Sequence, residues 1–149
     1  LIQSDTCKVE QNNYYLACLM GSREDSVLLL EAMDLDPPSL GKIKLRFMHT
    51  DMELGPVDVY IGGSSAEHKL VSGLSFSEIS NYIEASEEAL WESLIITPAN
   101  SSPAEMTLFS FLANNIFETG QVYMGVVGHK TNSPSSGLQF FLYEHPVGL

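Results

Sequence analysis

The sequence predicts an all-β protein in which two sheets pack face to face as a sandwich. Apolar and polar residues alternate with a period of two in segment after segment, which is typical of strands with one buried face. Clusters of Gly, Pro, Ser and Asn separate these segments at the spacing expected of a sandwich. The chain has 149 residues, enough for one domain with a substantial core.

The clearest alternation lies in Lys42–His49 and Val57–Ile61. In the first segment one face is predicted to hold Ile43, Leu45, Phe47 and His49, and the other Lys42, Lys44, Arg46 and Met48. In the second, Val57, Val59 and Ile61 are predicted to face inward, with Asp58 and Tyr60 facing away from them. Leu54-Gly55-Pro56 marks the turn between the two strands.

The other strands are predicted from the same pattern and from the turn residues between them. They are Tyr14–Met20, Val27–Ala32, Lys69–Phe76, Asn81–Ala85, Trp91–Thr97, Glu105–Phe111, Gln121–Gly128 and Leu138–Tyr143. Short helical turns are weakly indicated at Ser86–Leu94 and Leu112–Phe117, but neither segment sustains a 3.6-residue period.

An internal similarity divides the chain. Tyr15–Gly21 followed by Val27–Glu31 resembles the pair Tyr123–Gly128 and Phe140–Glu144, with offsets that run from 107 (Gly21 to Gly128) to 113 (Glu31 to Glu144). We therefore predict a hairpin-like extension over 1–39 and a β-sandwich domain over 40–149, with a linker at Asp36-Pro37-Pro38-Ser39. The extension is either the end of a preceding repeat or a part of the same sandwich. Because an isolated hairpin is marginal in water, we expect it to dock on the domain.

Composition and charge exclude several classes of protein. The chain is 44% hydrophobic and 17% charged, which is a globular composition, and its net charge is −12. Such an acidic chain is not expected to bind nucleic acid or anionic membranes, both of which attract basic surfaces. No apolar run approaches the roughly 20 residues of a membrane helix. The chain begins at Leu1 with no Met and no signal peptide, so we expect a processed product.

Residues Arg46–Gly63 carry a resemblance to a known family. A strand ends in His49, a connection containing Pro56 follows, and Val57-Asp58-Val59-Tyr60 and Gly62 come next. With Leu74–Tyr82 and the strand at Tyr123–Gly128, this pattern resembles the DUF4397 family of bacterial exported proteins over about residues 41–144. Ser86–Leu94 departs from it, because the family usually has a short Gly turn there.

The resemblance implies an immunoglobulin-like antiparallel β-sandwich on an exported protein, in the periplasm or at the cell surface, often with a lipid anchor upstream. The family has no established activity, so the resemblance implies a location more than a function. We therefore predict a non-enzymatic module for protein interaction or structure, with no cofactor. The alternatives are a carbohydrate-binding module or a metal-binding accessory domain of an enzyme. The partner is thus a protein or a glycan, and the oligomeric state stays open.

The polar cluster at His49, Asp51 and Asp58 has two interpretations. As a metal site, its nitrogen and oxygen ligands would have to converge at about 2 Å. Strand parity instead turns His49 toward the core and Asp58 away from it. The favoured interpretation is structural: His49 bonds a loop backbone, Asp58 bonds turn N–H groups near Gly55 or Gly62, and Tyr60 belongs to the same polar framework.

Two further sets of residues are candidates for specific chemistry. Trp91, Tyr82 and Tyr143 could stack on sugar rings if they are exposed, or fill the core if they are not. Cys7 and Cys18 would face each other across a turn at Asn12-Asn13, so either a disulfide or two free thiols is possible. The four histidines lie in different contexts and no Gly-x-Ser-x-Gly motif is present, which argues against a hydrolase.

Overall fold

The computed structural model describes residues 8–22, 24–86, 89, 93–112, 116–129 and 138–145, and they form an all-β sandwich, as predicted. The strands are β1 Tyr14–Gly21, β2 Ser26–Met33, β3 Lys42–His49, β4 Val57–Ile61, β5 Lys69–Leu74, β6 Ile83–Ser86, β7 Ser93–Pro98, β8 Phe109–Leu112, β9 Val122–His129 and β10 Leu138–His145. A short 3₁₀ turn, Ala66–His68, leads into β5.

The described strands form two four-stranded sheets and one separate hairpin. The first sheet has the order β10-β9-β3-β6, the second β5-β4-β7-β8, and β1 pairs with β2. The pairings are antiparallel except that of β3 with β9, which is parallel from Lys44 opposite Val122 to His49 opposite Val127. Parallel neighbours require a long crossover, and here the chain crosses to the second sheet between them.

β6 begins at Ile83, two residues later than the predicted start at Asn81. β5 and β8 are also shorter than the sequence pattern predicts, because local hydrogen bonds replace the ladder. β5 was predicted to reach Phe76, but a turn intervenes in which the Glu78 side chain accepts from the Ser75 N–H at 2.8 Å and Ser77 has a φ of 66°. β8 was predicted to begin at Glu105. That residue instead closes a turn, its carboxylate accepting from the Ser102 N–H at 2.7 Å.

The inner faces of the two sheets form the main core. Its buried members are Ile43, Leu45, Phe47, Val57, Val59, Ile61, Val71, Leu74, Ala85, Leu94, Ile96, Tyr123 and Val127. Ile43 and Val59 are fully buried and Phe47 is 1% exposed, so the inward faces predicted for β3 and β4 are confirmed.

The outer face of the two central strands of the first sheet, β3 and β9, is also covered. Lys44, Arg46 and Met48 lie on the face of β3 that points away from the core, yet they are only 8%, 3% and 3% exposed. A second apolar cluster explains this: Met20, Met48, Met124 and Val126 are buried together, with Leu16, Cys18, Leu29, Met33, Phe76 and Ile79 packed against them. The hairpin β1–β2 therefore packs on the outer face of β3 and β9.

The described residues contain little helical structure. The turns indicated at Ser86–Leu94 and Leu112–Phe117 fall largely outside the described residues, since 87, 88, 90–92 and 113–115 are not among them. In the part of the chain that the structure covers, no helix has the length and apolar character needed to cross a membrane.

We predict that Phe47→Ala lowers the free energy of unfolding by about 4 kcal/mol, because it leaves a cavity between the two sheets. Met52→Ala is the matched control, since the Met52 side chain is 47% exposed, and it should change stability little. Urea denaturation followed by circular dichroism measures both. Equal effects of the two substitutions would contradict the position of the core.

Candidate functional site

His49 ends β3 and is fully buried, with both ring nitrogens bonded to a loop. The Asp51 N–H lies 3.2 Å from Nδ1, and the Gly55 carbonyl oxygen lies 3.1 Å from Nε2. An amide N–H can only donate and a carbonyl can only accept, so Nδ1 is the acceptor and Nε2 carries the proton. The ring thus holds the loop between β3 and β4 and leaves no nitrogen lone pair for a metal.

Asp51 organises the same loop. Its Oδ1 accepts hydrogen bonds from the backbone N–H groups of Glu53, at 2.9 Å, and Leu54, at 3.3 Å. A short side chain that bonds the backbone two residues ahead is a common way to form a turn. Among the described residues, no group of three or more His, Cys, Asp or Glu side chains is placed to hold a metal ion.

Asp58 on β4 is a fully buried carboxylate that joins three elements. Its oxygens accept from Lys69 Nζ at 2.6 Å, from the Gly73 N–H at 2.8 Å and from the Asn100 N–H at 3.2 Å. The prediction that Asp58 bonds turn N–H groups near Gly55 or Gly62 was therefore wrong. Gly73 and Asn100 both have left-handed backbone conformations, with φ of 66° and 65°, in the irregular part of β5 and the turn after β7.

The charges around Asp58 are mutually stabilised. Desolvation raises the pKa of its carboxyl group, but the hydrogen bonds from Lys69, Gly73 and Asn100 outweigh that effect and hold the pKa below its usual value. Its partner responds in the opposite sense, since the hydrogen bonds to Asp58 and then Tyr60 raise the pKa of Lys69. Such a pair connects β4 to β5, and the bond from Asn100 connects it to the turn after β7.

Tyr60, predicted as part of the polar framework, lies beside this pair. Its hydroxyl donates to the Ser101 carbonyl at 3.4 Å, and Lys69 Nζ lies 5.3 Å from the centre of its ring. The side chain is only 3% exposed, although it points away from the core.

Tyr82 was proposed as a sugar-stacking residue, but its ring contacts two cationic side chains of the protein itself. Arg46 Cζ lies 4.5 Å and Lys44 Nζ 5.1 Å from the ring centre, within the range of a cation–π contact. Acidic residues of the hairpin and linker complete the cluster, with Lys44 paired to Asp34 at 2.5 Å and Arg46 to Glu31 at 3.9 Å. Burial raises the pKa of Tyr82, and the nearby guanidinium only partly offsets it.

The other two proposed sugar-stacking residues are not tested by the structure. Trp91 lies outside the described residues, and Tyr143 is described only as a backbone position in β10.

The proposed Cys7–Cys18 disulfide is not tested either, because Cys7 lies outside the described residues. Cys18 is partly buried on β1, and burial raises the pKa of its thiol. Residues 8–10 form no strand, so the strand pairing expected around Asn12-Asn13 does not extend over them.

A shallow groove of about 630 Å³ opens between the edge strands β5 and β6. It is lined by Leu70, Val71, Ser72, Leu74, Glu78, Ile79, Ser80, Asn81 and Ile83. None of these nine described residues is aromatic, so the groove offers no ring on which a sugar could stack. The register of β5 against β4 is also irregular, which protects an edge against strand addition.

An exposed apolar surface lies on the side of the β1–β2 hairpin that points away from the sandwich. We call it the outward face, and it consists of Tyr15, Ala17, Leu19, Leu28, Leu30 and Ala32, which are paired across the two strands. Leu19 is 69% and Leu28 is 50% exposed. A sequence signal for this face exists: Val27–Leu30 is apolar at four consecutive positions, as expected of a strand that is buried on both faces.

No protein-family model matches the chain, and no curated protein matches it significantly.

We predict that Asp58→Asn lowers the free energy of unfolding at pH 7 by about 2 kcal/mol, because it removes the charge of a buried carboxylate that accepts hydrogen bonds from Lys69, Gly73 and Asn100. The pKa of Asp58 is depressed in the folded state, so its contribution is present above the unfolded pKa of about 4 and is lost as pH falls through the folded pKa. The variant should therefore lose less stability than the parent protein below pH 4.

Urea denaturation from pH 2 to pH 7 measures this difference. Glu53→Gln, a substitution of an exposed carboxylate, is the control and should leave the pH profile unchanged. An Asp58→Asn profile parallel to that of the parent would contradict the role given to the carboxylate.

Proposed function

We propose that this chain is a non-enzymatic β-sandwich module of an exported or cell-surface bacterial protein, of the DUF4397 kind, that binds another protein surface through the outward face. The observation that carries this proposal is the exposure of a continuous apolar sheet face on an otherwise acidic protein, whose net charge is −12. Large exposed apolar patches on soluble proteins usually mark interaction sites.

The distribution of exposed apolar side chains supports a contact at this place. Of the nine large hydrophobic residues that are exposed in the described part of the chain, five lie between residues 9 and 28. These are Val9, Tyr14, Leu19, Val27 and Leu28. Leu19 and Leu28 lie on the outward face, whereas Tyr14 and Val27 lie on the opposite side of the hairpin and Val9 precedes it. The concentration of exposed apolar side chains in this part of the chain supports a contact there.

The roles of the buried polar groups support a non-enzymatic function. His49 holds a loop through both ring nitrogens, and Asp58 holds two backbone N–H groups and Lys69. Arg46 and Lys44 hold the hairpin and linker through Glu31 and Asp34. A catalytic group must be free to exchange a proton or attack a substrate, and these groups are engaged in structural bonds.

The face itself favours a protein partner over a glycan. It contains aliphatic side chains, one Tyr and no charged residue, whereas glycan sites combine stacked aromatic rings with polar groups that bond hydroxyls. The contact would be stabilised by burial of apolar area, at roughly 25 cal/mol per Å² before the costs of association.

Hydroxyl-radical footprinting tests this proposal. We expect oxidation of Leu19 and Leu28 to be several-fold slower in the protein isolated from its native source than in the separate 149-residue chain, because a partner surface covers them. Met52, which is 47% exposed, is the internal control and should react equally in both samples. Equal oxidation of Leu19 in both samples would refute the proposal, as would glycan-array binding that is lost in Trp91→Ala.

A further inference from the structure

The hairpin β1–β2 repeats the geometry of β9–β10. β1 runs over Tyr14–Gly21 and β9 over Val122–His129, so both ends of the strand are offset by 108 residues. β2 and β10 are likewise both eight residues long, and both ends are offset by 112. The structure thus replaces the range of 107 to 113 read from the sequence by one offset for each strand.

The turn that precedes each pair is also the same. The Glu10 N–H donates to the Tyr15 hydroxyl at 2.9 Å, and the Glu118 N–H donates to the Tyr123 hydroxyl at 2.8 Å. Both bonds span five residues, and donor and acceptor are each offset by 108. Between them the backbone turns through a left-handed residue, Asn12 with a φ of 67° and Gly120 with a φ of 87°. The two turns have the same hydrogen bond to a tyrosine hydroxyl, the same left-handed backbone conformation and the same spacing. They are therefore equivalent elements of one fold.

This equivalence identifies what the outward face corresponds to. On β9, Tyr123 and Val127 point into the main core, and their equivalents on β1 are Tyr15 and Leu19. Phe117 packs against Tyr123 with ring centres 5.0 Å apart, whereas Val9, at the position equivalent to Phe117, is 66% exposed. The exposed side of β1 is therefore the side that faces the main core in β9.

The opposite sides of β1 and β9 pack against each other. Met124 and Val126 on β9 are equivalent to Leu16 and Cys18 on β1, and all four belong to the second cluster. Equivalent residues of β1 and β9 thus contact each other in one cluster, as expected where two like sandwiches pack back to back.

We propose that β1 and β2 are the closing strands of a second sandwich of the same topology, supplied by the same polypeptide, and that its remaining strands cover the outward face. This inference rests on the proposed function and names the partner. The covering surface would be the inner face of a sheet like β5-β4-β7-β8, which presents Val57, Val59, Leu94 and Ile96 in this module.

The proposal also specifies a backbone contact. In this module β9 pairs with β10 on one edge and, in parallel, with β3 on the other, where its residues 122–127 are engaged. Among the described residues β1 pairs only with β2, so its other edge is unpaired. The second sandwich would add a parallel strand along residues 14–19, equivalent to β3.

A second copy of this chain fits less well as the occupant. Its own β3 is already paired on both edges, with β9 and with β6, and the inner face of its second sheet is already covered by its first sheet. A complete module therefore has neither a strand nor a core face to offer. A sandwich that lacks its own closing hairpin has both.

The test compares the natural polypeptide, expressed from its encoded start, with the 149-residue chain. We expect Leu19→Glu to lower the melting temperature of the natural polypeptide by about 5 °C or more, independently of protein concentration, because it places a carboxylate in a core. In the 149-residue chain the same change should have little effect, as should Met106→Glu, the matched control at a 52% exposed residue, in both proteins.

Hydrogen exchange separates this inference from the proposed function. Alternate amides of residues 14–19 should exchange at least tenfold more slowly in the natural polypeptide than in the 149-residue chain, because a parallel strand bonds them. Protection of the Leu19 side chain without this slowing, or a melting shift that depends on concentration, would overturn the inference and leave the proposed function standing. If neither the Leu19 side chain nor these amides were protected, both would fail.

Discussion

The two central strands of the first sheet, β3 and β9, are buried on both of their faces, and the other features of the structure follow from this constraint. On the inner side Phe47 and its neighbours pack against the second sheet, and on the outer side Met48 and Met124 pack under the hairpin. Burial of the outer side also encloses Lys44 and Arg46, whose charges would be costly without partners. Glu31 and Asp34 supply those partners, and the Tyr82 ring fills the space beside them.

The same constraint explains why one face of the hairpin is packed against the sheet and the other is exposed. Leu16, Cys18 and Met20 cover the methionines of the first sheet, so the residues that alternate with them must point outward. Those residues are also apolar. A surface hairpin would ordinarily carry polar residues there, and its composition is instead that of a strand pair enclosed between two layers.

Strand positions could be predicted from the sequence because the alternation in β3 and β4 directly reflects burial of one face. Where a side chain bonded the backbone locally, as Glu78 and Glu105 do, the predicted strand was too long. The partners of Asp58 were missed for a different reason: Gly73 and Asn100 lie 15 and 42 residues from it, and only the pairing of β4 with β5 and β7 brings them together. A buried polar site built from distant backbone groups leaves no local pattern.

The role of Tyr82 could not be predicted, because its neighbours Arg46 and Lys44 lie on β3, far from it in the sequence. The outward face was in principle accessible from the sequence, since Val27–Leu30 lacks the polar alternation of a surface strand. The similarity between the first and last strand pairs was recognisable too. Its full extent required the structure. The hydrogen bonds from backbone N–H groups to the tyrosine hydroxyls, and the left-handed conformations of Asn12 and Gly120, exist only in the folded chain.

The most direct test of this account is methyl NMR of the 149-residue chain with a soluble paramagnetic agent, which measures how closely solvent approaches each side chain. The account predicts strong relaxation enhancement for Leu19 and Leu28, weak enhancement for Leu16 and Leu29, and nuclear Overhauser contacts from Leu16 to the methionines of the second cluster. Equal enhancement at all four leucines, with no such contacts, would contradict it, because the hairpin would then lie free of the sheet that its inner face is said to cover.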